Sequence, residues 1–344
     1  MIYINLLIIF LILIFVHELG HYSVARFFGT KVTDFSIGFG KTLFSYRDKN
    51  NTKWKLSLIP LGGYVKINGL ENIFQNKISK KIENDSFQYL TLSKQILILL
   101  AGSVFNIISA WICLFSILFF FGITSFNNEI GKVYENSSAH ENDLRVGDFI
   151  SEVNGIKINE FIDIREAINN KDFISLTILR DNEIITKKFK LKYNNEIQQF
   201  IIGIGSNNKP IIKRFYFFES ISQSINFIPS YYITTFDYFI KSVNNNTLSN
   251  ELSGPIGIVK MADKLMLDKI KGVLFLFIMI SLFVAIFNLL PIPLLDGGHI
   301  VYFILRSMFS NTLPHIITRI YLTIGITIIS FLFIIVTLND IFYK

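Results

Sequence analysis

Charge is scarce in this chain. Of its 344 residues, 17% are Asp, Glu, Lys or Arg, against about a quarter in soluble domains. Three stretches, Ile96–Ile123, Gly272–Leu295 and Ile320–Leu338, carry none. Cysteine is almost absent. Cys113 stands alone inside one of those stretches, so no internal disulfide can form and a disulfide-stapled secreted domain is excluded. Internal repeats are missing. So are a basic helix and an aromatic stripe among basic residues, which argues against nucleic acid as a partner despite a pI near 9.2. What is present is apolar: 51% of the residues are hydrophobic, and they are bunched. A bilayer core takes about 20 helical residues to cross. The three long runs and a shorter one, Ile2–Val16, therefore describe a multispanning membrane protein and exclude a soluble enzyme or a disordered chain.

The pattern along the chain divides it further. Residues 1–28 are expected to be one retained helix, because no basic residue precedes the apolar segment and no cleavage site follows it. Residues 29–92 are mixed. Lys53–Leu58 alternates with period two, Pro60-Leu61-Gly62-Gly63 signals a turn, and Tyr64–Ile67 alternates again. That predicts a β-hairpin over Trp54–Ile67, with a further strand near Thr33–Phe39. A second span is expected at 93–123. Residues 124–195 read as a small α/β module, with strands at Ile130–Val133, Asp148–Val153, Ile174–Leu179 and Ile184–Phe189 and a helix at Asp163–Asn170. Residues 196–270 form a linker that contains an amphipathic helix at about 217–243. A third span is expected at 271–299, a loop at 300–318 and a fourth span at 319–340.

One constellation carries chemistry. His17-Glu18-Leu19-Gly20-His21 places two imidazoles four apart on one helical face, the spacing of two ligands of a tetrahedral Zn²⁺. Glu18 stands one step round the helix, where a carboxylate suits a general base rather than a ligand. Ionisable groups at the end of a lipid-compatible run are functional by default. A catalytic site needs a third protein ligand. Asp296 is the candidate, because Pro291 and Pro293 break the third run before Asp296-Gly297-Gly298, and broken backbone at that depth must line a cavity or be buried in protein. His299 reads as a neighbour rather than a ligand. In a four-span protein the first and third helices run parallel, so their C-terminal ends share a membrane face and these residues can meet.

In order along the chain, His17–His21, Phe35-Ser36-Ile37-Gly38-Phe39-Gly40, Pro60–Lys66, Ala101-Gly102 with Asn106, Val146-Gly147-Asp148 with Val153-Asn154-Gly155, Ser253–Ile258 and Asn288–Gly298 resemble the site-2 intramembrane metalloproteases. The resemblance is to the bacterial regulator-of-sigma-E type and covers nearly the whole chain. It implies four transmembrane helices, a cytoplasmic-side membrane re-entrant β-hairpin and one inserted periplasmic PDZ domain of α/β type. It further implies one catalytic zinc on His17, His21 and Asp296, with Glu18 as the base. Asn106 and Asn288, and Leu58, Gly62 and Gly63 of the hairpin, would contact substrate. The implied partners are membrane lipid, an upstream site-1 protease, and a single-span membrane protein substrate such as an anti-sigma factor or a signal-peptide remnant. The chain departs from the family at Ser103, where Pro is usual, and in carrying one PDZ-like module where some relatives have two.

Two other readings compete. A catalytically silent membrane scaffold would have no use for Glu18 beside three candidate ligands. A metal transporter would place several acids along a path, and the long spans have none. The net charge of +7 then finds a place: residues 26–94 hold 12 Lys/Arg and 5 Asp/Glu, while the rest of the chain balances. Basic residues near span ends favour the cytoplasmic side. This predicts a multi-pass protein of the bacterial inner membrane, with the metal site toward the cytoplasmic face.

Overall fold

The computed structural model describes residues 2–70, 85–168, 171–194, 199–244, 257, 259, 270–309 and 314–342. Of the expected Ser253–Ile258 motif, all but Gly257 lies outside the described residues.

The chain opens with helix α1 (Ile2–Phe27), followed by strands β1 (Val32–Arg47) and β2 (Lys53–Ile67) and helix α2 (Leu92–Ser116). A π-helical turn, Ile117–Phe121, closes α2. The inserted module follows: β3 (Ile123–Phe126), β4 (Ile130–Val133), α3 (Ser138–Glu141), β5 (Phe149–Val153), β6 (Ile156–Lys157), α4 (Asp163–Ile168), β7 (Phe173–Arg180), β8 (Glu183–Lys190), β9 (Lys192–Asn194), β10 (Gln199–Ile201), β11 (Ile204–Ser206) and β12 (Pro210–Lys213). Helices α5 (Phe217–Asn244), α6 (Ile270–Asn288), α7 (Asp296–Met308) and α8 (His315–Phe342) complete it. Four of these, α1, α2, α6 and α8, are long and apolar enough to cross a membrane. At 1.5 Å per residue even the 19 residues of α6 reach about 28 Å. The protein is a multi-pass membrane protein.

The chain divides into two compact units, Leu118–Phe217 and the remainder. In the membrane unit, α1 packs on α2 and α6. Leu6, Ile9 and Leu13 of α1 meet Leu276, Phe277 and Ile280 of α6 in one cluster. Further along α1, Ala25 joins Val32, Ile67, Phe87, Ile98, Leu99, Tyr302 and Phe303 in another. α1 crosses α2 very closely, since a Cβ on Gly20 would lie 2.4 Å from the Ala101 carbonyl oxygen. Small residues allow this approach, the usual device where lipid offers no hydrophobic drive between helices.

The β-element differs from its expected form. Pro60–Gly63 is no reversal. β2 runs through it, and the chain turns at residues 48–52 between β1 and β2. Residues 32–37 pair with 63–67 on one side and with 53–56 on the other, while 42–47 pair with 53–57. Both strands bend in the middle, so two strands make four paired segments. Pro60 has no N–H for the ladder, and pairing stops between Ile59 and Gly63. At the matching bend of β1, Gly38 has φ +86°, and a Cβ there would sit within 3 Å of the Ser57 and Ile59 carbonyl oxygens. Only glycine tolerates both demands.

The expected loop at 300–318 is also replaced. α7 fills 296–308 and α8 begins at His315. The third span ends at Asn288, so Asp296 opens a new helix rather than ending the old one.

The inserted module has its own core of Ile130, Ile150, Val153, Ile174, Leu176, Ile178 and neighbours, all buried. Its main sheet has the order β6-β5-β7-β8. Four strands lie beyond the expected start of the linker or next to it. β11 pairs with β4, β12 with β3, and β10 with β9. Residues 199–213 therefore belong to the module. A cavity of about 1530 Å³ opens beside α4, lined by Ile164, Ile168, Phe161, Phe200 and Ile202 among others.

Candidate metal centre

α1 carries His17 and His21 with their rings edge to face, centroids 4.8 Å apart. The two Nε2 atoms are 3.2 Å apart, and Asp296 Oδ2 lies 3.2 Å from the first and 3.4 Å from the second. Ligand atoms held tetrahedrally about 2.1 Å from Zn²⁺ are about 3.4 Å from one another, so the three separations fit that ion. Among the described residues this is the one group of three His, Cys, Asp or Glu able to hold a metal. The donor chemistry fits too. His21 Nδ1 stands 2.8 Å from the Ile98 carbonyl oxygen, which accepts only from a protonated nitrogen. In the neutral ring this leaves a lone pair on Nε2. Asp296 Oδ2 is buried and makes no hydrogen bond of acceptable geometry. Three electron-rich atoms converging, with only the Asn288 amide at 3.4 Å from His17 Nε2 as a side-chain amide donor beside them, call for a cation.

The backbone sets these positions. Residues Leu289–Leu295 coil tightly between α6 and α7, with Ile292 N–H donating to the Leu290 carbonyl at 2.7 Å. Leu294 has φ +84°, a strained value for a branched side chain. Side chains on Gly297 and Gly298 would strike the Leu289 and Ile292 carbonyl oxygens at 2.2 and 2.0 Å. α8 braces the coil from outside: Tyr321 Oη donates to the Gly298 carbonyl at 2.7 Å, and Gly325 is flush against Pro293. On the other side, a Cβ on Gly102 would come within 2.8 Å of both imidazoles.

Glu18 lies among His17, His21 and Asp296, beside the Val65 backbone N–H. β2 reaches it through Gly63, where a Cβ would sit 3.1 Å from Glu18 Cγ and 2.7 Å from the Ser36 carbonyl oxygen. Asn106 and Asn288 both reach His17, with amide nitrogens 3.3 Å from Nδ1 and 3.4 Å from Nε2. Gly62 packs on the Phe39 ring, and Leu58 is 58% exposed on the same element. His299 is outside the three-residue group. Ser103 sits fully buried in an unbroken α2, its hydroxyl without a hydrogen-bond partner. Sequence reasoning missed the Ile98 carbonyl and Tyr321. The first is a backbone group that no residue type announces. The second is an ordinary tyrosine within an apolar run.

Fold and donor set thus define a membrane protein with a partly buried His-His-Asp centre beside a carboxylate. The chain belongs to peptidase family M50, whose profile matches residues 5–332; these are zinc metalloproteases of the site-2 type. It is 36% identical to a Rickettsia conorii protein named "Putative zinc metalloprotease", over 96% of this chain and 95% of that one. It is 33% identical to a Campylobacter jejuni protein of the same description, over 96% and 90%. A solved PDZ domain of an SdrC-like protein from Listeria monocytogenes overlaps 24% of this chain and 90% of its own at 20% identity. Its TM-score of 0.22 is too low to define the module's fold.

Proposed function

We propose that this chain cuts transmembrane segments of single-span membrane proteins, with one zinc held by His17, His21 and Asp296 and with Glu18 as the general base. The observation that carries the reading is the convergence of three lone-pair donors at 3.2–3.4 Å with a carboxylate alongside. Bound there, zinc supplies the positive charge that acidifies water and polarises a carbonyl. Glu18 takes the water proton as oxygen attacks the scissile carbon, then returns it to the departing amine. The Val65 N–H lies beside the Glu18 carboxylate, a donor available to orient it. A helical substrate must unwind, and each stranded backbone group costs several kcal/mol in hydrocarbon. The β-element, with Leu58, Gly62 and Gly63 along β2, offers strand edges to such a segment. Asn288 faces the same space.

The excess positive charge of residues 26–94 favours a cytoplasmic position for that loop, with the β-element re-entrant at that face and the module in the periplasm of an inner-membrane protein. The module is read as a PDZ domain that selects substrates already trimmed by an upstream site-1 protease. Its cavity beside α4 suits an extended peptide. Anti-sigma factors and signal-peptide remnants are the substrate classes that fit. The test is reconstitution of the purified protein with a single-span substrate in lipid vesicles, with and without chelator. Cleavage inside the span that chelator stops and zinc restores supports the reading. Partner binding with no cleavage would leave the scaffold, and metal flux without cleavage the transporter.

A further inference from the structure

Asn106 and Asn288 form a pair in the sequence comparison, but they meet opposite nitrogens of His17. Asn106 reaches Nδ1, the nitrogen turned away from Asp296. Asn288 reaches Nε2, the nitrogen turned toward it. Their surroundings differ as well. Asn106 has no exposed surface, whereas Asn288 is partly exposed.

We propose that Asn106 is a positioning residue that fixes the tautomer and orientation of His17, and that Asn288 alone of the two faces the substrate. The inference rests on the reading of His17 as a metal ligand. An imidazole that ligates through Nε2 carries its proton on Nδ1 and needs an acceptor there. Asn106 holds one: its Oδ1 is buried and has no hydrogen-bond partner. The two ends of an amide exchange by a half turn of the last torsion. That turn brings the orphaned oxygen to the Nδ1 proton, and the amide NH2 takes the place the oxygen leaves. His21 is already arranged this way, with Nδ1 on the Ile98 carbonyl. Ile98, Gly102 and Asn106 are spaced by four and so share one face of α2. That face supplies an acceptor for each imidazole, with a glycine between them to admit both rings. The turn bearing Asn106 is itself pinned, because its backbone carbonyl accepts the hydroxyls of Ser109 at 2.8 Å and of Ser281, across on α6, at 2.9 Å.

The experiment compares Asn106→Leu, Asn106→Asp and Asn288→Leu in the full-length protein. Zinc affinity is read by chelator competition, Co²⁺ binding by its absorption spectrum, and kcat and KM on a single-span substrate at saturating zinc. Asn106→Leu should lose about 10–100-fold in metal affinity, as loss of an outer-shell partner does, with KM unchanged. Asn106→Asp should recover the affinity and the Co²⁺ spectrum, because a carboxylate accepts the same proton. Asn288→Leu should keep the affinity and change KM or kcat. If Asn106→Leu binds metal like the wild type, or Asn106→Asp is as weak as Asn106→Leu, the inference is overturned. Should Asn106→Leu fail to fold, the Asp variant decides: a raised KM at normal metal affinity would assign Asn106 to the substrate as a donor. A wild-type protein that binds no zinc would overturn the proposed function as well, whereas zinc binding indifferent to Asn106 would sink this inference alone.

Discussion

Two aspartates sit in the interiors of the two units, and their surroundings could hardly differ more. Asp148, in the inserted module, is 1% exposed and fully matched. Arg180 grips both its oxygens at 2.7 and 2.8 Å, and the Arg145 N–H adds a third bond at 2.8 Å. Asp296, in the membrane unit, points Oδ2 at two imidazole nitrogens and makes no hydrogen bond of acceptable geometry with it. A satisfied buried charge holds a structure together; an unsatisfied one marks where something else must bind. On the proposed function, the same contrast separates stability from function across the molecule.

The largest effect expected is on the functional side. Glu18→Gln should lower cleavage by about 10²–10⁴-fold, the usual weight of a general base, while zinc content measured on the same sample stays at the wild-type level. On the structural side, Arg180→Met strands the Asp148 carboxylate. Breaking a buried pair costs about 3–5 kcal/mol, so hydrogen exchange in full-length protein should speed up across β5, β7 and β8 and leave α1 and α6 untouched. Spread of the loss to the membrane helices would break the comparison.

The Asp148 pair also gives a pH dependence. Burial pushes this carboxyl up, but the Arg180 guanidinium, the Arg145 N–H and Lys187 outweigh it and hold it below the usual carboxylate range. Its contribution to stability is then fully present above the unfolded carboxyl value of about 3.9. It is lost as pH falls through the lower folded value. Exchange protection in the module should fall over that acid range in the wild type and lose this component in Asp148→Asn. The smallest effect concerns the brace on Asp296. Tyr321→Phe removes one hydrogen bond to Gly298, worth about 1 kcal/mol. Thermal stability should fall by about that amount, and zinc affinity from chelator competition should weaken by at most the roughly five-fold it represents.

The site was more legible in the sequence than the fold around it. His17, Glu18 and His21 declare themselves by spacing within an apolar helix, and Asp296 by two prolines and two glycines where a span should continue. Partner groups on the backbone leave no such mark, which is why the Ile98 carbonyl and the Val65 N–H had to be seen. The helix α7 follows Asp296 with Arg306 and Ser307 near its end and reads as a loop from composition. Pro60–Gly63 reads as a turn because proline and glycine mark interruptions. Here they interrupt pairing within one long strand. The strands at 204–213 are only three or four residues each, too short for alternation to show, and they are fixed by partners some 70 to 90 positions earlier.

Zinc stoichiometry by elemental analysis, in purified wild-type, Glu18→Gln, His21→Ala and Asp296→Ala proteins, tests the centre most directly. The account predicts one zinc per chain in the first two and loss of the metal in the last two, with folding retained. One zinc per chain persisting in both His21→Ala and Asp296→Ala would contradict it.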